Sequence, residues 1–349
     1  MKTVVWDSYG LDNPHSGIGR HGCKLLSKMS RLGSMPLVLR SKPDFLSANS
    51  SLYVSGKLPS KIGYSLFLRK AKAQIEGSGQ DLVFHGLSNF NIPRKASFKT
   101  VLTVHDLIPL LQPSNVSLTQ SLQCKFLIPR ALASADAVIC VSAWTKQTIQ
   151  DLFPNYASKC VVIPNGRDSQ NSIVSRETSS IKLLTVSRYE SYKGFDTIIR
   201  LVSKLDQEIS LDFVTDERGK AYLEENGRDL LSAGRIRIHL SLSDESLNSL
   251  FLTSDILLHA SQLEGYCLPA SEALARGLPV VYQSGSGVDE VVGNGGVGIK
   301  AGESIDQWVD TVRQVFSELG PWRGRAEEAF RRLDTWDEVA KKTLSVYNN

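Results

Sequence analysis

The sequence predicts an α/β protein built from two consecutive parallel-sheet domains facing each other across a cleft. Three observations predict it. Short β-branched apolar runs recur along the chain, helical segments separate them, and the alternation stops once near residue 170 before restarting. At 349 residues the chain also exceeds the size at which one hydrophobic core is usual. Near-continuous apolar strands belong to parallel sheets covered by helices on both faces.

In the first half the strand candidates are "TVVW", "PLVLR", "DLVFHG", "KTVLTVHD", "DAVICVS" and "KCVVIPNG", with helical character at residues 18–32 and 121–134. The polar stretch "GRDSQNSIVSRETSS" reads as a linker, which sets the domains at 1–170 and 171–332. A last helix, about 333–349, is expected to pack back on the first domain. In the second half "KLLTVS", "SLDFVT", "RIRIHLS", "DILLHAS", "LPVVYQ" and "GVGIK" read as strands, with helices at 244–253 and 269–276. Ligands of open parallel sheets sit beyond the carboxyl ends of the strands, so each domain's site is expected at that edge.

Bulk properties narrow the function classes. A net charge of +4 is too mild to imply nucleic acid, though it suits an anionic ligand or membrane surface. No apolar run is long enough to span a bilayer, and "MKTVVWDSYG" reads as a strand, not a signal peptide. The expected location is the cytoplasm, at most peripheral on the inner face of a membrane. Five isolated cysteines (Cys23, Cys124, Cys140, Cys160, Cys267) read as buried thiols of a reducing compartment, with neither a disulfide framework nor a zinc site.

"SGIGRHG" contains the G-x-G-x-x-G of a dinucleotide-binding turn in Gly17, Gly19 and Gly22. In that turn the first glycine follows directly on a strand, whereas here about ten residues intervene after "TVVW". The acidic residue that would bind ribose is also missing from the end of the next strand, which carries Arg40 and Ser41. A dehydrogenase is therefore disfavoured.

More chemistry lies in "SQLEGYCLPASEALARGLPVVYQSGSGVDEVVG". Pro269 suits the first turn of a short helix, and Gly277 suits a left-handed cap before the next strand. Glu264 falls in the loop, Glu272 in the expected first helical turn, and Gly265 allows close approach of a ligand. Free amides at a helix start favour a phosphate, and two flanking carboxylates can each accept from paired hydroxyls. That pattern fits a nucleotide sugar. The alternative is that Glu272 complements the helix dipole and Glu264 is a solvated loop acid. Upstream, "LLTVSRYESYKGFD" puts Ser187 and Arg188 at a strand end and Lys193 where a helix begins, two cations able to clamp a diphosphate. Solvated loop cations are the alternative there.

These segments, with "LSDESLNSLFLTSDILLHAS", "EALARGLPVV" and the E-x7-E spacing from Glu264 to Glu272, resemble the donor domain of retaining family 4 glycosyltransferases. Upstream, "SGIGR", "TVHDLIPL", "VSAWTK" and "VIPNG" fall in the family's order, so the resemblance covers nearly the whole chain. It implies the GT-B fold, two Rossmann-like domains with the acceptor bound by the first and the nucleotide sugar by the second. It makes Gly17, Gly19 and Arg20 part of a glycine loop closing over donor phosphate and acceptor. His105 would face the transferred sugar with Asp106 supporting it; residue types alone make that pair an ordinary strand-end pair. The resemblance assigns the diphosphate to Arg188 and Lys193, the sugar's 3- and 4-hydroxyls to Glu264, and the ribose to Glu272. Backbone amides around Tyr266, Cys267 and Leu268 would complete the phosphate site, and Leu242 with Ser243 would lie beside the base.

Some positions depart from the family pattern. "FVTDERG" stands where a glycine-rich turn is usual, Cys267 replaces a common glycine, and "GSGVDE" carries Asp where Pro is typical. There is no D-x-D pair and no clustered His/Cys set, so transfer without metal or other cofactor is expected. "TVHDLIPL" resembles bacterial mannosyltransferases of surface-polysaccharide assembly, including lipopolysaccharide. The first expectation for the donor is GDP-mannose and the second a UDP-hexose, with a glycan or lipid-linked glycan as acceptor. "SKIGYSLFLRKAKAQI" places Lys61, Arg69, Lys70 and Lys72 among Tyr64, Leu66, Phe67 and Leu68. Such a segment could lie on anionic lipid or form an ordinary surface helix. Rival functions are a GT-B phosphorylase or synthase with a small acceptor, and a non-catalytic nucleotide-sugar-binding protein.

Overall fold

A computed structural model describes residues 3–7, 11, 16–34, 37–40, 51–53, 72–73, 76, 82–168 and 181–349. Most of the linker, 169–180, and the basic apolar segment apart from Lys72 and Ala73 lie outside the described residues. The chain divides into two compact units, one comprising Met1–Gly166 with Asp334–Asn349 and the other Arg167–Leu333.

The first unit holds β1 (Thr3–Trp6), β2 (Leu37–Arg40), β3 (Ser51–Tyr53), β4 (Leu82–Gly86), β5 (Lys99–Val104), β6 (Ala137–Cys140) and β7 (Cys160–Val162). They form one sheet in the order β3-β2-β1-β4-β5-β6-β7, with every pairing parallel. Around it lie α1 (Gly17–Arg31), α2 (Ile108–Leu111), α3 (Leu118–Ser134) and α4 (Ala143–Leu152). All five residues of β4 are buried, as an apolar strand in the middle of a covered sheet must be. Ser16 caps α1 by accepting from the Gly19 amide at 3.0 Å. Gly17 to Arg20 therefore form the first turn of the helix expected over 18–32, and the glycine loop that the resemblance implies falls on that turn. The buried face of α1 carries Gly19, His21, Gly22, Leu25 and Met29. Cys23 points away from that face and is exposed, correcting the expectation that all five thiols are buried; the other four are buried, and none of the five forms a disulfide.

The C-terminal helix Trp336–Asn348 belongs to this unit, begun by a capping box between Thr335 and Glu338. Its anchor is Tyr347. The Trp6 indole donates to the Tyr347 hydroxyl at 3.0 Å, and His85 Nδ1 lies 2.6 Å from the same oxygen. His85 Nε2 in turn reaches Thr103 Oγ1 at 2.7 Å, all inside the core. Tyr347→Phe keeps the ring but strips both buried partners of this contact, so unfolding stability should fall by about 2–3 kcal/mol. A urea midpoint unchanged from wild type would show that the helix is held by apolar packing alone.

The second unit repeats the design with β8 (Lys182–Val186), β9 (Ser210–Thr215), β10 (Ile236–Leu240), β11 (Ile256–His259), β12 (Val280–Gln283) and β13 (Gly296–Ile299). Its helices are α5 (Phe195–Lys204), α6 (Glu217–Asn226), α7 (Arg228–Ser232), α8 (Asp244–Thr253), α9 (Leu268–Leu274), α10 (Val288–Val292), α11 (Ile305–Ser317) and α12 (Leu319–Arg332). The sheet runs β10-β9-β8-β11-β12-β13, parallel throughout. Leu183, Leu211, Phe213, Ile256 and Leu258 from the strands pack with Phe195, Leu201 and Val202 of α5 in its core. Both sheets follow the doubly wound order in which the chain reverses direction of growth between its first and fourth strands. In the second unit that switch lies between β8 and β11, and ligands of such sheets bind beyond the carboxyl ends of the strands there. Lys193 lies in the loop leaving β8 and Glu264 in the loop leaving β11.

Candidate active site

The two loops are fastened together. The Gln262 amide donates to the Tyr192 carbonyl at 2.8 Å, and Gly194 sits against Ala260. Gly194 has φ +70°, and a Cβ there would lie 2.1 Å from the Ala260 carbonyl oxygen, so the position is confined to glycine on two counts. This contact carries Lys193 to Glu264, whose Oε1 accepts from Lys193 Nζ at 2.6 Å. His259, the last residue of β11, brings Nε2 to 2.8 Å from the same oxygen. Cys267 Sγ lies 3.4 Å from that nitrogen. Cys267 stands at φ +87°, a left-handed conformation that suits the glycine it replaces.

"GSGVDE" holds the Glu264 backbone from behind. The Glu264 amide donates to Ser286 Oγ at 3.1 Å, and its carbonyl accepts from the Gly287 amide at 2.9 Å. A Cβ on Gly287 would meet the Gly265 carbonyl oxygen at 2.2 Å. Asp289, the departure from the usual Pro, closes this turn by accepting from the Gly285 amide at 2.7 Å and the Ser286 amide at 3.2 Å. Asp216 does similar work where the glycine-rich turn is missing. Its Oδ1 caps α6 through the Gly219 amide at 2.9 Å and also accepts from the Tyr189 amide, in the loop after β8, at 3.2 Å.

Burial opposes charge at each member of the cluster, and the partners overcome it. Desolvation would raise the Glu264 carboxyl, but the Lys193 charge and the His259 hydrogen bond hold it well below the usual carboxylate range. Desolvation would lower Lys193, and Glu264 drives it above its ordinary value instead. His259, also opposed by burial, is pushed up to about 10 by Cys267 and Glu264. A buried ammonium–carboxylate–imidazolium row therefore stands at the switch point, ready to receive a ligand that offers hydroxyls to the carboxylate and negative charge to the cations.

The remaining expected donor residues are placed unevenly. Ser187 extends the β8–β9 ladder, its amide donating to the Val214 carbonyl at 3.0 Å. Arg188 is exposed and no ion pair joins it to the Lys193 cluster among the described residues. Glu272 is the fifth residue of α9 and so opens its second turn, correcting its expected place in the first. Leu268 begins that helix, Tyr266 is buried beside it, Gly265 borders the loop, and Leu242 is half-buried ahead of Ser243, the N-cap of α8. His259 went unrecognised as a site residue. Its separation from Cys267 follows no metal-ligand spacing, and only the loop's return after β11 brings the two together. This also corrects the expectation that no His/Cys set is clustered: the ligand atoms of His259, Glu264 and Cys267 all lie within 4.8 Å of one another.

Gly17, Gly19, Arg20, His105 and Asp106 belong to the first unit. His105 follows β5, its amide donating to Asn89 Oδ1 and its Nε2 to the Leu87 carbonyl, each at 2.8 Å. Burial, and the neighbouring His21, lower His105 to about 3, so its imidazole is neutral. Asp106 Oδ1 accepts from the Ile108 amide at 3.1 Å and so starts α2. His21, 5.1 Å from His105 between ring centres and edge-on to it, binds Asn165 Oδ1 through Nδ1 at 2.7 Å.

The family described as "Glycosyl transferases group 1" matches residues 167–329, and "Glycosyltransferase Family 4" matches residues 16–171. A phosphatidylinositol N-acetylglucosaminyltransferase component of Arabidopsis thaliana is 26% identical over 73% of this chain and 57% of its own length. The MMP alpha-(1->4)-mannosyltransferase of Mycolicibacterium hassiacum is 28% identical over 44% of this chain and 39% of its own. The chain thus spans less than two thirds of either relative. The structure of Anabaena HepE in complex with UDP superimposes with a TM-score of 0.71 at 20% identity, covering 99% of this chain and 100% of that one. Together the two family matches span residues 16–329, and the chain belongs to glycosyltransferase family 4, with the GT-B fold.

Proposed function

We propose that the protein is a retaining, metal-independent hexosyltransferase that takes its sugar from a nucleoside diphosphate bound by the second unit. The buried Lys193–Glu264 pair carries this reading. In the donor complex Glu264 accepts from the sugar's 3- and 4-hydroxyls, and Lys193, with Arg188, turns to the diphosphate. Glu272 takes the ribose, and the amides from Tyr266 to Leu268 take phosphate oxygens. As the glycosidic bond breaks, charge develops on the departing diphosphate and the sugar gains oxocarbenium character. Fixed cations at the leaving group stabilise that state without reorganisation. The leaving phosphate accepts the acceptor's proton on the attacked face, which gives retention without an enzymatic nucleophile. His105 and Asp106 orient the sugar, and Arg20 contacts the acceptor.

The first candidate donor is GDP-mannose, supported by the mannosyltransferase relative. A UDP-hexose is the second, since HepE binds UDP. The acceptor is a glycan or a lipid-linked glycan at the cytoplasmic face of a membrane; the phosphatidylinositol-directed relative supports the latter. Among the described residues no helix is long and apolar enough to cross a membrane.

Calorimetry with GDP and UDP in chelator tests the donor site. One of them should bind without metal, and a hundredfold excess over its dissociation constant should stabilise the protein by about 2.7 kcal/mol. Glu272→Ala should weaken that nucleotide and its sugar donor alike, because both contain ribose. Glu264→Ala should depress turnover while leaving nucleoside diphosphate affinity nearly intact. Binding seen with magnesium but abolished by chelator would overturn the metal-free site.

A further inference from the structure

The side chains of His259 and Cys267 are given no contact with the donor above, yet they meet beside the Glu264 carboxylate. The three offer an imidazole nitrogen, a thiol sulfur and a carboxylate oxygen, a donor set suited to a borderline-soft divalent ion. We infer that His259 Nε2, Cys267 Sγ and Glu264 Oε1 form an inhibitory zinc-class site whose occupation takes Glu264 away from the donor sugar.

The distances favour it. Tetrahedral zinc with ordinary bond lengths holds a nitrogen and a sulfur ligand about 3.5 Å apart, and the present separation is 3.4 Å. The nitrogen and oxygen must open from 2.8 Å to about 3.4 Å, a shift within reach of a rotation of the Glu264 side chain. The strand end fixes His259, and the left-handed backbone of Cys267 aims its sulfur back toward β11. Three protein ligands leave a fourth position for water, the pattern of an exchangeable site. Metal binding releases the ring proton of His259 and the thiol proton of Cys267 to solvent, and the remaining obstacle is Lys193, whose ammonium holds the same Glu264 oxygen. It has somewhere to go: Nζ already lies 5.1 Å from the centre of the Tyr192 ring, where a cation is well received. Metal and Lys193 thus compete for one oxygen, so occupation separates the pair on which the proposed donor site rests.

Cobalt(II) serves as the probe, because a thiolate ligand gives it a near-ultraviolet charge-transfer band. The metal-free 349-residue chain should bind one equivalent with that band and with d–d intensity of four-coordinate cobalt, and zinc should displace it. Cys267→Gly, which restores the residue common in the family and relieves the backbone, should lose the band. His259→Leu should weaken cobalt binding roughly a hundredfold. Cys23→Ser, which removes the exposed thiol, should retain both. A charge-transfer band that survives in Cys267→Gly, or absence of the band in a wild-type protein whose circular dichroism is native, overturns the site. The cobalt titration uses no nucleotide, so its failure leaves the donor reading untouched. If cobalt binds as expected, zinc should also inhibit hexose transfer in wild type and not in Cys267→Gly, each compared with its own metal-free rate. Zinc bound at the cluster without inhibition would overturn the inhibitory role and, with it, the assignment of Glu264 to the donor sugar.

Discussion

Gly194→Ala should destabilise the second unit by about 3 kcal/mol and lower transfer roughly a hundredfold. Its φ of +70° adds left-handed strain for any side chain, and the new Cβ would lie 2.1 Å from the Ala260 carbonyl oxygen. Neither atom of that clash is the end of a flexible side chain, so the loop after β8 must move away from β11. Lys193 is the adjacent residue and moves with it, losing Glu264. Gly287→Ala should act similarly from the other side, through the Gly265 carbonyl oxygen at 2.2 Å. Gly17→Ala provides the contrast in stability: nothing lies within 4 Å of a Cβ there. Denaturant unfolding of the three variants decides the matter, and a Gly194→Ala protein as stable as Gly17→Ala would refute the close approach.

That contrast shows what the sequence made legible. Gly17 and Gly19 are conspicuous in writing, and they lie in the capped first turn of a helix. Gly194 carries no comparable motif, because its necessity arises from a neighbour 66 positions away in the chain. The strands of both sheets were readable because buried parallel strands are apolar along their whole length, and Lys193 and Glu264 because strand ends mark the site edge in a doubly wound sheet. His259 was not readable: it is the last residue of an apolar strand, where a histidine is more commonly a satisfied core residue. Its meaning comes from the return of the loop that places Cys267 beside it. The pairing of Lys193 with Glu264 was also hidden, since each was sought by a different part of one ligand. Asp289 and Asp216 looked like departures from a pattern, and the structure shows each capping the turn it had seemed to disrupt.

Acid should unfold the first unit selectively. His21 and His85 are fully buried, and burial is the largest cause lowering them, to about 4 and about 3 respectively. In the unfolded chain each returns to about 6.5, so between there and pH 4 the unfolded state binds the additional protons. A histidine lowered in the folded state contributes stability that is complete above its unfolded value and lost as pH falls toward its folded one. Two such groups approach a slope of about 2.7 kcal/mol per pH unit below pH 6.5, and about 3 kcal/mol is lost between pH 6.5 and 5. His105, half-buried, adds a smaller share of the same sign. In the second unit His259 acts in the opposite sense: pushed up to about 10, it contributes stability fully present below pH 6.5. Calorimetric scans should therefore show one transition moving down and separating from the other as pH falls from 7.5 to 5. Hydrogen exchange should assign the lower one to the core strands of the first unit. His85→Gln, which can still bridge Thr103 and Tyr347 but does not titrate, should remove about half the slope. Equal protection of the β1 and β4 amides at pH 7.5 and pH 5 would mean that these imidazoles accept protons without unfolding.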